Sequence, residues 1–137
     1  MKQMIVLMGV LPFLLLFMMQ YALEQQNHYR IAMLQQCVYE AKEQAKQEGC
    51  FTSSIIQALR SDISDHLDVE EADILIDATT VPKYRVNLFD ERELIHYKIQ
   101  VPIDEIMAGA AFFGISDEEN RMMYTIENYT ASELIWP

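Results

Sequence analysis

The sequence is poor in basic residues and in cysteine, and each shortage excludes a class of protein. Ten Lys and Arg stand against 21 Asp and Glu in 137 residues, giving a formal net charge of −11 at pH 7. Phosphate backbones would repel such a chain, so we expect no nucleic-acid partner. Two cysteines cannot build a disulfide scaffold, and the absence of a CxxC pattern or Cys/His cluster argues against zinc.

Charge is also nearly absent from the N-terminus, where residues 1–23 contain a single charged side chain, that of Lys2. The remaining residues carry all 21 acidic groups, together with many Ile, Leu, Tyr and Phe side chains. That body is too apolar to be disordered throughout. An apolar segment is therefore joined to an acidic domain, and the two require different solvents.

Residues 4–23, MIVLMGVLPFLLLFMMQYAL, have the length and composition of a transmembrane helix. Gly9 and Pro12 would weaken a helix in water but are tolerated in lipid. A cleavable signal peptide has a shorter apolar run followed by small residues, whereas here Gln20 lies at the −3 position before Ala22. We therefore favour a retained membrane anchor over a signal peptide and over a buried helix of a soluble protein.

The orientation of this span follows from the charges on either side. Lys2 precedes the span and Glu24 follows it, so the positive-inside rule places the N-terminus inside the cell and the acidic domain outside. The predicted localisation is the cell membrane, with a single span and the C-terminal domain outside. An extracellular filament is a further possibility.

The helix is predicted to continue past the span, because residues 24–48 contain no Gly or Pro and are rich in helix formers. Gly49 is a suitable terminator. We expect a helix of about 70 Å over residues 1–48 and an α+β head over residues 49–137. A narrow apolar seam packs either on the chain's own domain or on other subunits; it comprises Ile31, Leu34, Val38, Ala41 and Ala45.

The remaining periodicity predicts a second helix and a small antiparallel sheet. The helix begins at residues 52–54, with capping-box spacing between Ser54 and Gln57. Its apolar face comprises Ile56, Leu59, Ile63 and Leu67. Alternating segments predict strands at 73–79, 84–89, 94–101 and 121–130, and Pro102 is expected to end the third.

Residues 106–115, IMAGAAFFGI, are uncharged and too short to span a membrane. Either they form a small helix that packs on the sheet, or they form a contact patch for a membrane or a partner. The patch would centre on Ala108, Phe112 and Phe113.

No residue pattern argues for catalysis, so we expect no enzyme, no cofactor and no small-molecule substrate. His28, His66 and His96 lie on three different predicted elements. The acidic runs at 62–68 and 117–120 lack the spacing of an EF-hand and are read as solvated faces, so no metal site is expected.

The two cysteines are expected to be free thiols. A helix separates Cys37 from Cys50 by roughly 18–20 Å, and bridged Cα atoms lie within about 7 Å.

The order of these parts resembles the TadE-like pseudopilins of tight-adherence pilus loci, within the type IV pilin-like class. Residues 10–17, VLPFLLLF, are similar to that family's Leu-Pro-Leu-rich run. A long Gln/Ala-rich helix, a strand ending at Val101-Pro102, the apolar segment 107–114 and a last strand rich in Thr and Tyr follow in the same order. The resemblance implies a long N-terminal helix, a small α+β head and a role in a pilus.

One position departs from the pilin pattern. Pilin-like proteins are usually cut after a Gly, which leaves Glu at the fifth mature position. The fifth residue after Gly9 is Leu14, and if Met1 is instead the mature start, the fifth residue is Ile5. The resemblance therefore implies a minor, initiating or uncleaved subunit rather than a standard major one.

Two functions follow as hypotheses. The first is a structural subunit that assembles with copies of itself or with other pilin-like subunits through Leu11, Pro12, Leu15, Ile31, Leu34 and Val38. The second is a membrane-tethered binding or scaffold module that uses the patch at Ala108, Phe112 and Phe113 and does not polymerise.

Overall fold

A computed structural model of the chain describes residues 1–85 and 93–135, and it begins with one uninterrupted helix, α1 (Lys2–Glu48). Pro12 lies inside this helix without ending it. The predicted terminator is confirmed, because Gly49 has a φ of +81°, a conformation that side chains disfavour. A Cβ at this position would also lie 2.6 Å from the carbonyl oxygen of Lys83. Only glycine fits there.

The second helix, α2 (Ser53–Leu67), begins where the sequence predicts but is capped by a different residue. Thr52 is the N-cap, and its hydroxyl accepts a hydrogen bond from the Ile55 N–H at 3.3 Å. Ser54 instead pairs with the Thr52 hydroxyl at 3.0 Å. The predicted face is confirmed at three positions, with Ile55 buried in place of the half-buried Ile56; the buried residues are Ile55, Leu59, Ile63 and Leu67.

A short 3-10 turn (Glu71–Asp73) leads into a three-stranded sheet of order β1–β2–β3. The strands are β1 (Leu75–Ala78), β2 (Leu94–Asp104) and β3 (Arg121–Ala131). β1 and β2 are antiparallel, with Leu75 opposite Gln100 and Ala78 opposite Tyr97. The predicted α+β class with an antiparallel sheet is confirmed.

The expectation that Pro102 ends a strand is wrong, since β2 continues to Asp104. The His96 carbonyl accepts from the Thr79 N–H, so the even-numbered residues of β2 direct their backbone groups toward β1. The β1 pairing ends at Gln100. Pro102 would direct its N–H toward β1, but β1 has already ended at this level, so no hydrogen bond is lost there. The other edge of β2, which pairs with β3, is unaffected by the missing N–H.

The strand predicted at 84–89 lies largely outside the described residues, since 86–89 belong to the gap. Arg85 forms an isolated parallel bridge with Ile135, and its N–H donates to the Leu134 carbonyl at 2.7 Å.

The chain divides into two compact units. One unit comprises residues 1–29 and 103–122, and the other comprises residues 30–102 and 123–137. The second half of α1 therefore belongs with the sheet and α2, whereas its first half groups with the connection between β2 and β3.

The larger unit contains the hydrophobic core. Phe51 is fully buried, and its ring lies 5.7 Å from that of Tyr97 on β2. Alternate residues of β2 face inward, and α1 and α2 each contribute one face. The core residues from α1 are Leu34, Cys37, Val38, Ala41 and Ala45.

Both cysteines are free thiols and buried, Cys37 on α1 and Cys50 directly after it. Burial raises the pKa of the Cys50 thiol, and the nearby carboxylate of Glu48 raises it further. Burial also raises the pKa of the Tyr97 hydroxyl.

We predict that Ile63→Ala lowers the free energy of unfolding by about 2–5 kcal/mol, because it removes a fully buried side chain and leaves a cavity. Urea denaturation of the full chain in detergent measures the change. Gln57→Ala, at an exposed position of the same helix, is the control and should change stability by less than about 0.5 kcal/mol. Equal effects of the two variants would contradict the assigned core face.

We also predict that stability falls as the pH rises above about 8.5, the ordinary pKa of a thiol. Since the pKa of Cys50 is raised in the folded state, the unfolded chain loses this proton first, and the loss favours unfolding. The pKa of the Tyr97 hydroxyl is also raised in the folded state, so its ionisation at higher pH lowers the stability further. Denaturation midpoints at pH 7, 9 and 10 test this. A Cys50→Ala variant should show a flatter pH dependence near pH 9, and an unchanged slope would argue against the thiol.

Candidate functional site

The first turns of α1 expose apolar side chains on every side. Residues 1–15 are all exposed, and Phe13 retains 72 % of its surface. Within the described part of the chain, α1 is the one helix long and apolar enough to cross a membrane, and none of its most apolar stretch is buried. A long apolar N-terminal helix of this kind fits a membrane anchor.

The residues predicted to mediate assembly fall into two groups. Leu11 and Leu15 are about half exposed, at 49 % and 53 %, and Pro12 is exposed as well. Leu34 and Val38 are buried in the core of the larger unit, which leaves them no surface for a second subunit. Of the two interpretations of the seam, the structure favours packing on the chain's own domain.

Two backbone features distinguish the exposed part of α1. Pro12 has no N–H, so the carbonyl of Met8, one turn earlier, lacks its usual helical donor. Gly9 lies in the same turn, and a Cβ built there meets nothing within 4 Å. This turn therefore offers a free acceptor and an open backbone surface.

The connection between β2 and β3 packs against α1 through the amide of Gln20. The Gln20 Nε2 donates to the Ile106 carbonyl at 3.2 Å, and its Oε1 accepts from the Ala108 N–H at 2.8 Å. One turn further along α1, the Asn27 Nδ2 donates to the Glu105 carbonyl at 3.3 Å. The apolar segment is therefore held on α1 by polar side chains.

Asn120 closes the other side of the connection. This buried residue accepts from the Met107 N–H at 2.8 Å and donates to the Met107 carbonyl at 3.0 Å. Neither Gln20 nor Asn120 was predicted to have a role. The available signal was a single glutamine inside an otherwise apolar span.

The segment predicted as a small helix contains a short 3-10 turn (Ala110–Phe113). Gly109 precedes it with a φ of +68°, and a Cβ there would lie 2.9 Å from the Leu16 Cδ2. The positive φ disfavours a side chain at this position, and a Cβ would also require the end of the Leu16 side chain to move. The contacts of Gly109 and Ala108 are with α1 rather than with the sheet, which was one of the two alternatives predicted for this segment.

The predicted partner patch is only partly exposed. Phe112 retains 84 % of its surface and Phe113 53 %, and their rings meet edge to face at 5.4 Å. Ala108 is half buried, and its N–H donates to the Gln20 Oε1. An open cleft of about 510 Å³ lies between α1 and the connection. Its lining is mixed, with apolar residues such as Met19 and Leu23 and charged residues, Glu105 and Asp117.

The three histidines lie on three different elements, His28 on α1, His66 on α2 and His96 on β2. His66 bonds the Asp62 carbonyl of its own helix at 2.8 Å, and His96 pairs with Glu127 on the neighbouring strand at 2.8 Å. Across residues 1–85 and 93–135, no three His, Cys, Asp or Glu side chains are grouped to hold a metal ion.

We predict that Gln20→Leu loosens the connection without reducing the apolar character of α1. The change leaves the Ala108 N–H and the Ile106 carbonyl without their partner, a cost of about 1–3 kcal/mol. Amide hydrogen exchange of residues 104–110 in detergent should accelerate by at least about tenfold. Gln25→Leu, at an exposed position of α1, is the matched control. Unchanged exchange in the Gln20 variant would contradict the assigned bonds.

Comparison of the chain with protein-family models, curated proteins and solved structures finds no match in any of the three.

Proposed function

We propose that this chain is a membrane-anchored structural subunit of the pilin-like kind, with α1 as both its membrane span and its assembly helix. The observation that carries the proposal is the change of surroundings along α1. Residues 4–15 are apolar and exposed on all sides, whereas Leu34 and the residues after it on the same face form the core of a folded unit.

An apolar helix exposed all round requires apolar surroundings. Soluble monomers rarely expose contiguous apolar patches larger than a few hundred Å². A bilayer or a bundle of like helices supplies the missing neighbours, and a pilin-like subunit uses both in succession. Lipid surrounds the span before assembly, and neighbouring subunits replace lipid in the filament.

The turn at Gly9 and Pro12 is suited to helix association in lipid. Helices in a membrane gain little from hydrophobic burial against each other, so close packing and hydrogen bonding decide whether they associate. Gly9 permits close approach, and the Met8 carbonyl is available to a donor on a neighbour. The assembly surface in this proposal is Leu11, Pro12 and Leu15. Ile31, predicted from the sequence to assemble with them, is half buried and belongs to the larger unit.

The pilus assignment rests on the order of parts as well. The run at residues 10–17 resembles the TadE-like pseudopilins, and a long helix followed by a small α+β unit accompanies it. In the proposed orientation the acidic residues beyond Leu23 lie outside the cell, since Lys2 precedes the span. The partners are copies of this chain or other pilin-like subunits.

Site-specific photo-crosslinking in the native cells tests assembly. A photoreactive phenylalanine analogue at Leu15 should yield covalent species containing two or more pilin-like subunits, because this exposed side chain faces its neighbours. The same analogue at Asp65, exposed on α2, is the control and should yield fewer such species. Recovery of the Leu15 variant only as a membrane-bound monomer would overturn the assembly role and favour the tethered binding module.

A further inference from the structure

We infer that the connection between β2 and β3 is a second membrane-contacting element, whose exposed phenylalanines insert among phospholipid acyl chains beside the span. This inference rests on the membrane span of the proposed function and is independent of filament assembly. It assigns a role to residues 106–115, which neither the core nor the assembly surface uses.

The level of this segment along α1 is the first argument. Gly109 lies against Leu16, and Ala108 bonds Gln20, so both contacts fall within the predicted span of residues 4–23. Leu16 precedes Leu23 by two helical turns, about 10 Å along the axis. A segment that packs on Leu16 therefore lies at the depth of the hydrocarbon region, which is about 30 Å thick.

The composition of the segment agrees with that depth. Residues 106–115 contain no charge, and acidic residues, Glu105 before and Asp117 after, mark its two ends. Phe112 is 84 % exposed even though the ring of Phe113 packs edge to face against it. Phenylalanine is among the side chains favoured in the hydrocarbon region of a bilayer. The acidic flanks argue against recruitment by anionic headgroups and for insertion into acyl chains.

Many backbone polar groups of the segment are hydrogen-bonded within the protein, as a lipid environment requires. Non-helical backbone is tolerated at membrane depth only where its polar groups are bonded within the protein. Gln20 bonds two of these groups and Asn120 bonds two more. Backbone carbonyls within the connection accept three further N–H groups, those of Phe112, Gly114 and Ile115. A glutamine and an asparagine thus replace the water that a surface loop would use.

The cleft beside the segment has a mixed lining. Met19 and Leu23 on α1 and Met107 on the connection contribute apolar surface, whereas Gln26, Glu105, Asp117 and Asn120 contribute polar surface. The lipid contact therefore lies at the exposed rings of Phe112 and Phe113, outside the cleft. Since Gly109 and Ala108 contact the half of the span nearer Leu23, the contacting phospholipid belongs to the leaflet on that side.

Fluorescence quenching by brominated phosphatidylcholine tests the inference on the full chain in phosphatidylcholine vesicles. Each variant carries Trp136→Phe, which removes the one native tryptophan, and one introduced tryptophan. Phe112→Trp and Phe113→Trp probe the connection, Phe17→Trp probes the span, and Asp65→Trp on α2 is the aqueous control. We expect blue-shifted emission and loss of intensity for the first three variants, and neither for Asp65→Trp.

The outcomes separate the two proposals. Quenching at position 17 without quenching at 112 or 113 would overturn the lipid contact of the connection and leave the membrane span intact. Absence of quenching at 17 would overturn the span itself. Quenching at 112 that is lost on adding Gln20→Leu, with position 17 unchanged, would further support Gln20 as the residue that positions the segment.

Discussion

The packing of one face of α1 against the rest of the chain is the interaction on which the other elements depend. In the larger unit this face supplies Leu34, Val38 and Ala45 to the core between α2 and the sheet. In the smaller unit the same helix holds the connection between β2 and β3 through Gln20 and Asn27. The covered positions of the larger unit are apolar, whereas in the smaller unit two polar side chains bond the backbone of the connection. A single helix thereby contributes to both compact units, through apolar packing in one and through hydrogen bonds to backbone in the other.

Local signals in the sequence predicted much of the fold because they depend on neighbours a few residues away. The helix end at Gly49, the apolar face of α2 and the last strand follow from periodicity and backbone preference alone. The choice of Thr52 over Ser54 as N-cap could not be predicted, since both have suitable side chains and the difference lies in backbone conformation. Likewise, Pro102 ends a strand only where its N–H would be needed, which depends on the extent of β1.

The candidate site was less predictable because its contacts join residues far apart in sequence. An apolar seam has the same pattern whether it packs on its own domain or on another subunit, so Leu34 and Val38 could not be distinguished from Leu11 and Leu15. The segment at 106–115 was recognised as unusual from its composition. Its location on α1 depends on Gln20, whose partner lies 86 residues away.

The close approach at Gly109 links two regions of the sequence that would otherwise vary independently. Leu16 occupies the space that a side chain at residue 109 would need, and the φ of +68° opposes any such side chain as well. A larger residue at 109 would require the Leu16 side chain to move and the backbone to take a different path. The span and the connection are therefore constrained as a pair, and neither can be exchanged for the corresponding segment of an unrelated membrane protein without the other.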